Sequence, residues 1–213
     1  MNVDWKIKQI IDIGWTSYKN KVASELLSPH NEKMMQLQLA QTFQTLLPIF
    51  EYDKEESIKL LLEVPVQINR QPSKRIIDIV ISYSHGTSKM MYPIELKCFR
   101  QFTRESSDKK RGGQNLGMYD YWEDIENIEQ YSLLQGYSFG THLALTDDMY
   151  YVTGKHEGKQ VSVFSTNNSR LNVTGVLSQP IANRLGKIEL QKYYSMTEWE
   201  KVGDYHFIRQ YTQ

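Results

Sequence analysis

Two runs of strand length, Arg75–Ile81 and Tyr92–Lys97, constrain the fold most, because each is apolar on both faces. After Arg75, which begins the first run, the two runs contain only three charged residues: Asp78 in the first, and Glu95 and Lys97 in the second. Side chains alternate along a strand, so Glu95 and Lys97 share one face. The two runs therefore predict adjacent strands of a buried sheet that carry a small cluster of charges.

The residues between the two runs, 85–88, have the composition of a tight turn. Such a turn can fold the second strand back beside the first and bring Asp78 near Glu95. Neighbouring buried carboxylates are costly unless they are paired, protonated or bound to a metal, since each disfavours ionisation of the other. Mg²⁺ suits such a site, because it prefers oxygen ligands and uses one or two carboxylates with water and substrate phosphate.

An ammonium two residues beyond a metal-binding glutamate could orient or help deprotonate an attacking water, which gives Lys97 a role in phosphodiester hydrolysis. The alternative is structural: an ion pair between Asp78 and Lys97, with Glu95 joined to a neighbouring arginine. Glu-x-Lys alone is a weak signal, and the chain has a second example, Glu157–Lys159, in a polar turn. The strand pair alone leaves both readings open.

Hydrophobic periodicity and turn residues predict the remaining elements. Helices are expected over residues 2–27 (broken near Gly14), from the N-cap Asn31 to Pro48, and over Asn115–Leu134; further strands over Leu60–Ile68, Phe139–Thr146, Met149–Thr153, Gln160–Phe164, Ile188–Tyr194 and Tyr205–Tyr211; and a long loop over Ser165–Gly186. This order predicts an α/β protein in which helices flank a mixed sheet, an α/β/α layering.

Length and composition favour one soluble domain. The 213 residues can bury a single core, and no apolar run is long enough to span a bilayer. The one cysteine, Cys98, excludes an internal disulfide framework and a cysteine-based zinc site, so a cytoplasmic location is expected. The five histidines show no paired ligand spacing; His142 could face the charged cluster, although a buried or surface role is more common.

The formal net charge is zero, but basic residues concentrate directly after the second strand. Only Glu105 and Asp108 oppose them there. Their position after the charged cluster favours a phosphate-binding loop over an ordinary solvated loop. The candidate phosphate-binding residues are Arg100, Arg104, Lys109, Lys110 and Arg111.

Ile77-Asp78, followed by Ile94-Glu95-Leu96-Lys97, resembles the signature of the PD-(D/E)XK nuclease superfamily. The order of elements, an acidic helix, three strands, a helix and a further strand, also resembles the common core of that superfamily over about residues 25–152. One departure is Ile77, where the signature has a nominal proline that is dispensable in the family. By this resemblance Glu32, in the helix after Asn31, would assist the metal site, with Glu25 as a less favoured substitute.

The resemblance implies a restriction-endonuclease-like core in a single nuclease domain, 1–213, with residues 153–213 as a β-rich extension. Its centre would use Asp78, Glu95, Lys97 and Glu32, with Mg²⁺ or Mn²⁺ held by the three carboxylates and no other small-molecule cofactor. The expected activity is endonucleolytic cleavage of DNA, in restriction or defence. The alternatives are a structure-specific or single-strand nuclease acting on DNA or RNA, and a non-catalytic binding or assembly protein that keeps the nuclease fold.

A homodimer is also expected, because two-fold symmetry presents two active sites to the two strands of a duplex. The aromatic residues of the tail are available to pack against the sheet or, alternatively, across such an interface.

Overall fold

A computed structural model describes residues 2–68, 74–103, 106–159, 161–182, 184 and 186–212. Within these ranges the chain forms the following helices and strands. They are α1 (Val3–Ala23), α2 (Glu32–Leu46), β1 (Glu56–Val66), β2 (Arg75–His85), β3 (Ser88–Phe99), β4 (Phe102–Thr103), β5 (Ser106–Lys110), α3 (Gln114–Tyr131), β6 (Thr141–Thr146), α4 (Met149–Thr153), β7 (Val173–Ser178), β8 (Lys187–Tyr194), β9 (Glu200–Val202) and β10 (Tyr205–Tyr211), with short 3-10 turns at Leu47–Phe50, Ser162–Phe164 and Met196–Glu198.

A six-stranded mixed sheet in the order β1-β2-β3-β6-β10-β9 forms the centre of the protein. The two apolar runs are its adjacent antiparallel strands β2 and β3, joined by a tight turn in which Gly86 has a φ of 56°. β3 and β6 are parallel, and the crossover between them contains α3. β10 and β9, from the C-terminal tail, extend the sheet beyond β6.

Helices cover both faces of this sheet, which gives the mixed α/β architecture that the sequence predicts. On one face α1 and α2 pack against alternate residues of the central strands, such as Leu96 and Leu143. On the other face α3 packs against residues of opposite parity, such as Ala144 and Ile208. Among the described residues, no helix is both long enough and apolar enough to cross a lipid bilayer.

A separate two-stranded sheet, β7 with β8, packs against α3. Glu129 of α3 fixes it, because this buried carboxylate accepts hydrogen bonds from the backbone N–H groups of Gln191 and Lys192 at 2.8 and 3.0 Å and from the Tyr194 hydroxyl at 2.8 Å. β7 lies inside the segment predicted to be a loop, so that prediction is wrong. The Asn- and Ser-rich composition of the segment as a whole masked a short strand, Val173–Ser178, whose hydrogen bonds are supplied by pairing with β8.

The predicted break of the first helix at Gly14 is also wrong. α1 is continuous, and Gly14 faces α2: a Cβ atom added there would lie 2.4 Å from Cε1 of Phe43. The glycine therefore serves close packing of the two helices rather than a turn.

Two further strand predictions near the middle of the chain are wrong. Met149–Thr153 is the helix α4, because Asp148 acts as its N-cap and its Oδ1 accepts a hydrogen bond from the backbone N–H of Tyr150 at 3.0 Å. Ser162–Phe164 is a 3-10 turn, while Gln160 lies outside the described residues.

Candidate functional site

β2 and β3 separate at the point where their carboxylates lie. The last backbone pair joins Ile79 with Ile94, and Asp78 and Glu95 follow it. Each carboxylate then reaches the opposite backbone: Asp78 Oδ2 accepts a hydrogen bond from the Leu96 N–H at 2.9 Å, and a Glu95 oxygen lies 3.4 Å from the Asp78 nitrogen. The strands thus form a fork, and the structure brings Asp78 and Glu95 together at its base.

Side-chain alternation along β2 is interrupted at Asp78. Ile77 packs with residues of α3, whereas Ile79, two positions later, packs with α1 and α2 on the opposite face. Across the ladder on β1, Glu63 has a φ of 52°. The Gln36 side chain of α2 donates to the Asp78 carbonyl at 2.7 Å and to Glu63 at 2.6 Å, and so holds this irregular backbone in place.

The N-terminus of α2 delivers Glu32 to the same fork. Asn31 is the N-cap, as predicted: its Oδ1 accepts a hydrogen bond at 2.8 Å from the backbone N–H three residues later. Glu32 Oε2 then lies 3.5 Å from Nζ of Lys97. Burial, with repulsion from Asp78 and a further aspartate, raises the pKa of Glu32 to about 7 against the opposing attraction of Lys97.

That further aspartate is Asp124 of α3, which sequence reasoning missed. Its Oδ2 lies 2.7 Å from Nζ of Lys97, whose side chain is only 16% exposed. One face of α3 also carries Tyr131, whose hydroxyl donates to Glu95 at 3.0 Å. Asp124 and Tyr131 are seven residues apart, which places them on the same side of a helix. This spacing is the signal that could have identified Asp124.

His142 borders the cluster, a position that the sequence allowed but did not favour. It lies opposite Glu95 in the β3–β6 ladder, is fully buried, and has its Nε2 3.7 Å from Asp124 Oδ2. Neither of its ring nitrogens makes a hydrogen bond within the described part of the chain. Burial lowers the pKa of His142, so the imidazole adds no positive charge at neutral pH.

Four carboxylates consequently surround one ammonium. Burial raises the pKa values of Glu32, Asp78 and Glu95, and for Glu95 repulsion from Asp124 and Asp78 adds to it. The pKa of Asp124 alone is lowered, because the attraction of the Lys97 ammonium outweighs its burial. The cluster therefore has an excess of negative charge that protons or a cation must balance.

The donor set fits a magnesium-type ion better than zinc or calcium. Asp78 and Glu95 supply adjacent oxygen donors, and Mg²⁺ is typically bound through one or two carboxylates with water and phosphate completing its shell. Across the described ranges, no group of three or more His, Cys, Asp or Glu side chains is arranged to hold an ion. The described residues therefore do not form a complete protein cage, and the role of Glu32 as a third ligand stays a prediction.

The ends of the basic segment make structural contacts. Arg100 donates through Nε to Asp147 at 2.8 Å and through Nη1 to the Pro29 carbonyl. Arg111 donates to the His30 carbonyl at 3.0 Å. Both arginines thereby secure the loop that precedes α2 and Glu32.

The rest of that segment pairs as the short strands β4 and β5. Arg104 lies outside the described residues, and so do the side chains of Lys109 and Lys110. Their proposed phosphate contacts stay predictions. Cys98, next to Lys97, is buried as expected, and burial raises the pKa of its thiol to about 12.

Comparison with models of protein families, with curated proteins and with solved structures finds no significant match to this chain. Its function is therefore inferred from the chemistry of the residues and from the geometry of the fork.

Proposed function

We propose that this protein is a divalent-metal-dependent endonuclease with a restriction-endonuclease-like core, and that it hydrolyses phosphodiester bonds in DNA. The observation that carries the proposal is the charge imbalance at the fork, where Asp78, Glu95 and Glu32 converge on Lys97 with too little positive charge. The order of α2, the antiparallel strands β1 to β3, α3 and the parallel strand β6 agrees with the core of the PD-(D/E)XK superfamily.

Each residue of the fork has a role in this proposal. Asp78 and Glu95 would hold Mg²⁺ or Mn²⁺, with Glu32 as an accessory acid. The bound ion would act as a Lewis acid and lower the pKa of a bound water. Lys97 would orient the attacking water and stabilise charge that develops on the phosphate. Asp124, which touches Lys97, would keep that ammonium in position.

A cleavage assay on the full chain tests the proposal. Supercoiled plasmid, linear duplex and single-stranded DNA are incubated with Mg²⁺, Mn²⁺ or EDTA, and products are resolved by electrophoresis. Cleavage should require the metal. Lys97→Ala should abolish cleavage yet retain metal binding, whereas Asp78→Asn should lose both. Lys89→Ala, an exposed lysine on the same strand, is the matched control and should cleave normally.

Two results would contradict the proposal: no cleavage of any substrate with either metal, or cleavage that persists undiminished in Lys97→Ala. The preferred substrate separates duplex cleavage from the structure-specific and single-strand alternatives. RNA substrates of the same sequences, added to the assay, distinguish DNA from RNA preference.

A second candidate, a non-catalytic binding or assembly protein, is favoured by a different observation. Lys97 has two carboxylate partners within the chain itself, Asp124 at 2.7 Å and Glu32 at 3.5 Å. In that case the cluster is a buried ion-pair network. Lys97→Ala would then cost about 3–5 kcal/mol, and Mg²⁺ would not change the melting temperature of the parent protein.

For the basic segment after β3, we propose contacts of Lys109, Lys110 and Arg111 with DNA phosphates. Neutralising Lys109 and Lys110 together should weaken DNA binding for all sequences and flatten its dependence on salt. An unchanged salt dependence would make the segment an ordinary surface element. Arg100 and Arg111 are unsuitable for this test, because their substitution would also break the contacts with Asp147 and with the His30 carbonyl.

The proposal extends to a homodimer, since cleavage of both strands of a duplex is simplest with two symmetric sites. Three of the six tail aromatics, Tyr194, Trp199 and Phe207, are buried in the fold of the chain itself and so are not available to an interface. Tyr193 is 74% exposed and is available for one. Sedimentation at micromolar concentration, with and without DNA, distinguishes the dimer from a monomer.

A further inference from the structure

A cleft apart from the carboxylate cluster is lined by residues of the segment 154–170, which connects α4 to β7. Its volume is about 450 Å³, and none of the five charged residues at the fork lines it. The residues lining it whose side chains can donate hydrogen bonds or carry positive charge are Lys155, His156, Ser162, Ser165, Asn167, Ser169 and Arg170. The endonuclease proposal uses none of them.

Arg170 is the main feature of this cleft. Its guanidinium donates to the carbonyls of Val163 and Ser165 at 2.8 and 2.7 Å, and its central carbon lies 5.6 Å from the centroid of the Trp122 ring. In the described part of the chain, no carboxylate forms an ion pair with it; Glu157, which also lines the cleft, does not. Among the described residues, this partly buried cation is therefore balanced only by carbonyl dipoles and a ring face.

The wall of the cleft is fixed by hydrogen bonds. The buried His156 has its Nδ1 2.5 Å from the Ser165 hydroxyl, which also accepts the Asn167 N–H at 3.2 Å. The Asn167 side chain donates to the Gly154 carbonyl at 2.7 Å. Burial, with the positive charges of Lys159 and Arg170, lowers the pKa of His156. These hydrogen bonds hold the wall in place, and the lining residues Lys155 and Arg170 carry positive charge against a single carboxylate, Glu157.

Further donors are available at the rim. Lys155 is exposed and forms no ion pair with any described residue, and the hydroxyls of Ser162 and Ser169 make no hydrogen bond in the described ranges. Two cations and two hydroxyls provide more donors than a carboxylate can accept. A phosphate group, with three acceptor oxygens and a charge of about −1.5 to −2, matches them, and a guanidinium fork binds phosphate through paired hydrogen bonds.

We propose that this cleft binds the phosphate group of a small phosphomonoester. Its volume lies within the range of about 300–1,000 Å³ typical of small-molecule pockets, so there is room for the organic group that carries the phosphate. This site is independent of metal binding at the fork and would persist if the protein were not a nuclease.

Calorimetric titration of the full chain tests the proposal. AMP, glycerol 3-phosphate, inorganic phosphate and acetate are titrated at constant ionic strength in EDTA, so that no metal bridges phosphate to the fork. The phosphomonoesters should bind saturably with one site per chain, and acetate should not. Arg170→Gln and Lys155→Ala should each weaken binding about tenfold, the loss of one charge-assisted hydrogen bond. Lys187→Ala, an exposed lysine elsewhere, is the control for lost charge and should bind normally.

Arg170→Gln could weaken binding by disturbing the fold, because Arg170 donates hydrogen bonds to two backbone carbonyls. Lys155→Ala excludes this explanation, because Lys155 makes no structural contact in the described chain. Three results would overturn the proposal: no saturable binding of either phosphomonoester, binding of inorganic phosphate alone, or equal weakening by Lys155→Ala and Lys187→Ala. Asp78→Asn should bind the phosphomonoesters as the parent does, whether or not the fork has nuclease activity.

Discussion

The two aspartates at the fork should respond differently to the same substitution. Asp124 lies 2.7 Å from the Lys97 ammonium, and its pKa is lowered; Asp78 faces Glu95, and its pKa is raised by burial. A carboxylate with a lowered folded-state pKa stabilises the fold when ionised, and one with a raised pKa destabilises it. At pH 7 without metal, Asp124→Asn should therefore destabilise the protein, whereas Asp78→Asn should leave stability unchanged or raise it.

The magnitude for Asp124→Asn follows from the contacts that remain. The substitution removes a charge-assisted contact of about 1.5–3 kcal/mol. Lys97 keeps Glu32 at 3.5 Å, so the loss should stay below the roughly 3–5 kcal/mol of a fully stranded buried charge. In a chain of this size each kcal/mol lowers the melting temperature by about 2–4 °C, which gives a decrease of about 3–12 °C. Asn at position 78 can still accept the Leu96 N–H through its amide oxygen.

The assay is thermal and urea unfolding of the parent and both variants at pH 7 in EDTA, followed by circular dichroism. A shift of both variants in the same direction, or an Asp124→Asn protein at least as stable as the parent, would refute the reasoning. Added Mg²⁺ should then stabilise the parent more than Asp78→Asn, because the variant lacks one of the two carboxylate ligands.

Two further predictions concern the packing of α1. Gly14→Ala should cost about 1–3 kcal/mol in urea unfolding, since the new Cβ would lie 2.4 Å from the Phe43 ring, and an unchanged free energy of unfolding would contradict this packing. For Glu56, the Lys6 ammonium 2.5 Å away and further hydrogen bonds lower the pKa to about 2 despite burial. The stability that this pair contributes is present above the ordinary pKa of 4.5 and is lost as the pH falls towards 2. Glu56→Gln should therefore flatten the dependence of the unfolding free energy on pH between 4.5 and 2. Equal slopes in the parent and the variant would contradict this.

Sequence patterns predicted the elements that local chemistry specifies. The two apolar runs are adjacent antiparallel strands, as predicted. Asn31 marks the start of α2, because its side chain accepts a hydrogen bond from a backbone N–H of the first helical turn. The proximity of Asp78 and Glu95 could be predicted because a short turn joins their two strands and side chains alternate along each strand. These features depend on residues that are close in sequence.

Features that depend on distant contacts were not predicted. Gly14 read as a helix breaker because its Phe43 neighbour lies on another helix. Val173–Ser178 read as a loop because the strand that pairs with it comes later in the chain. Asp124 read as part of a polar helix face, since its ammonium partner lies on a strand 27 residues earlier in the sequence.

Direct measurement of Mn²⁺ binding by electron paramagnetic resonance tests the proposed metal centre most directly, because it needs no known substrate. The parent protein should take up Mn²⁺ saturably, with Mg²⁺ competing for the same site. Asp78→Asn and Glu95→Gln should each lose this binding, while Glu157→Gln, the exposed glutamate of the second Glu-x-Lys sequence, should retain it. Absence of saturable binding to the parent, or equal affinity in the parent and both fork variants, would contradict a metal site at the fork.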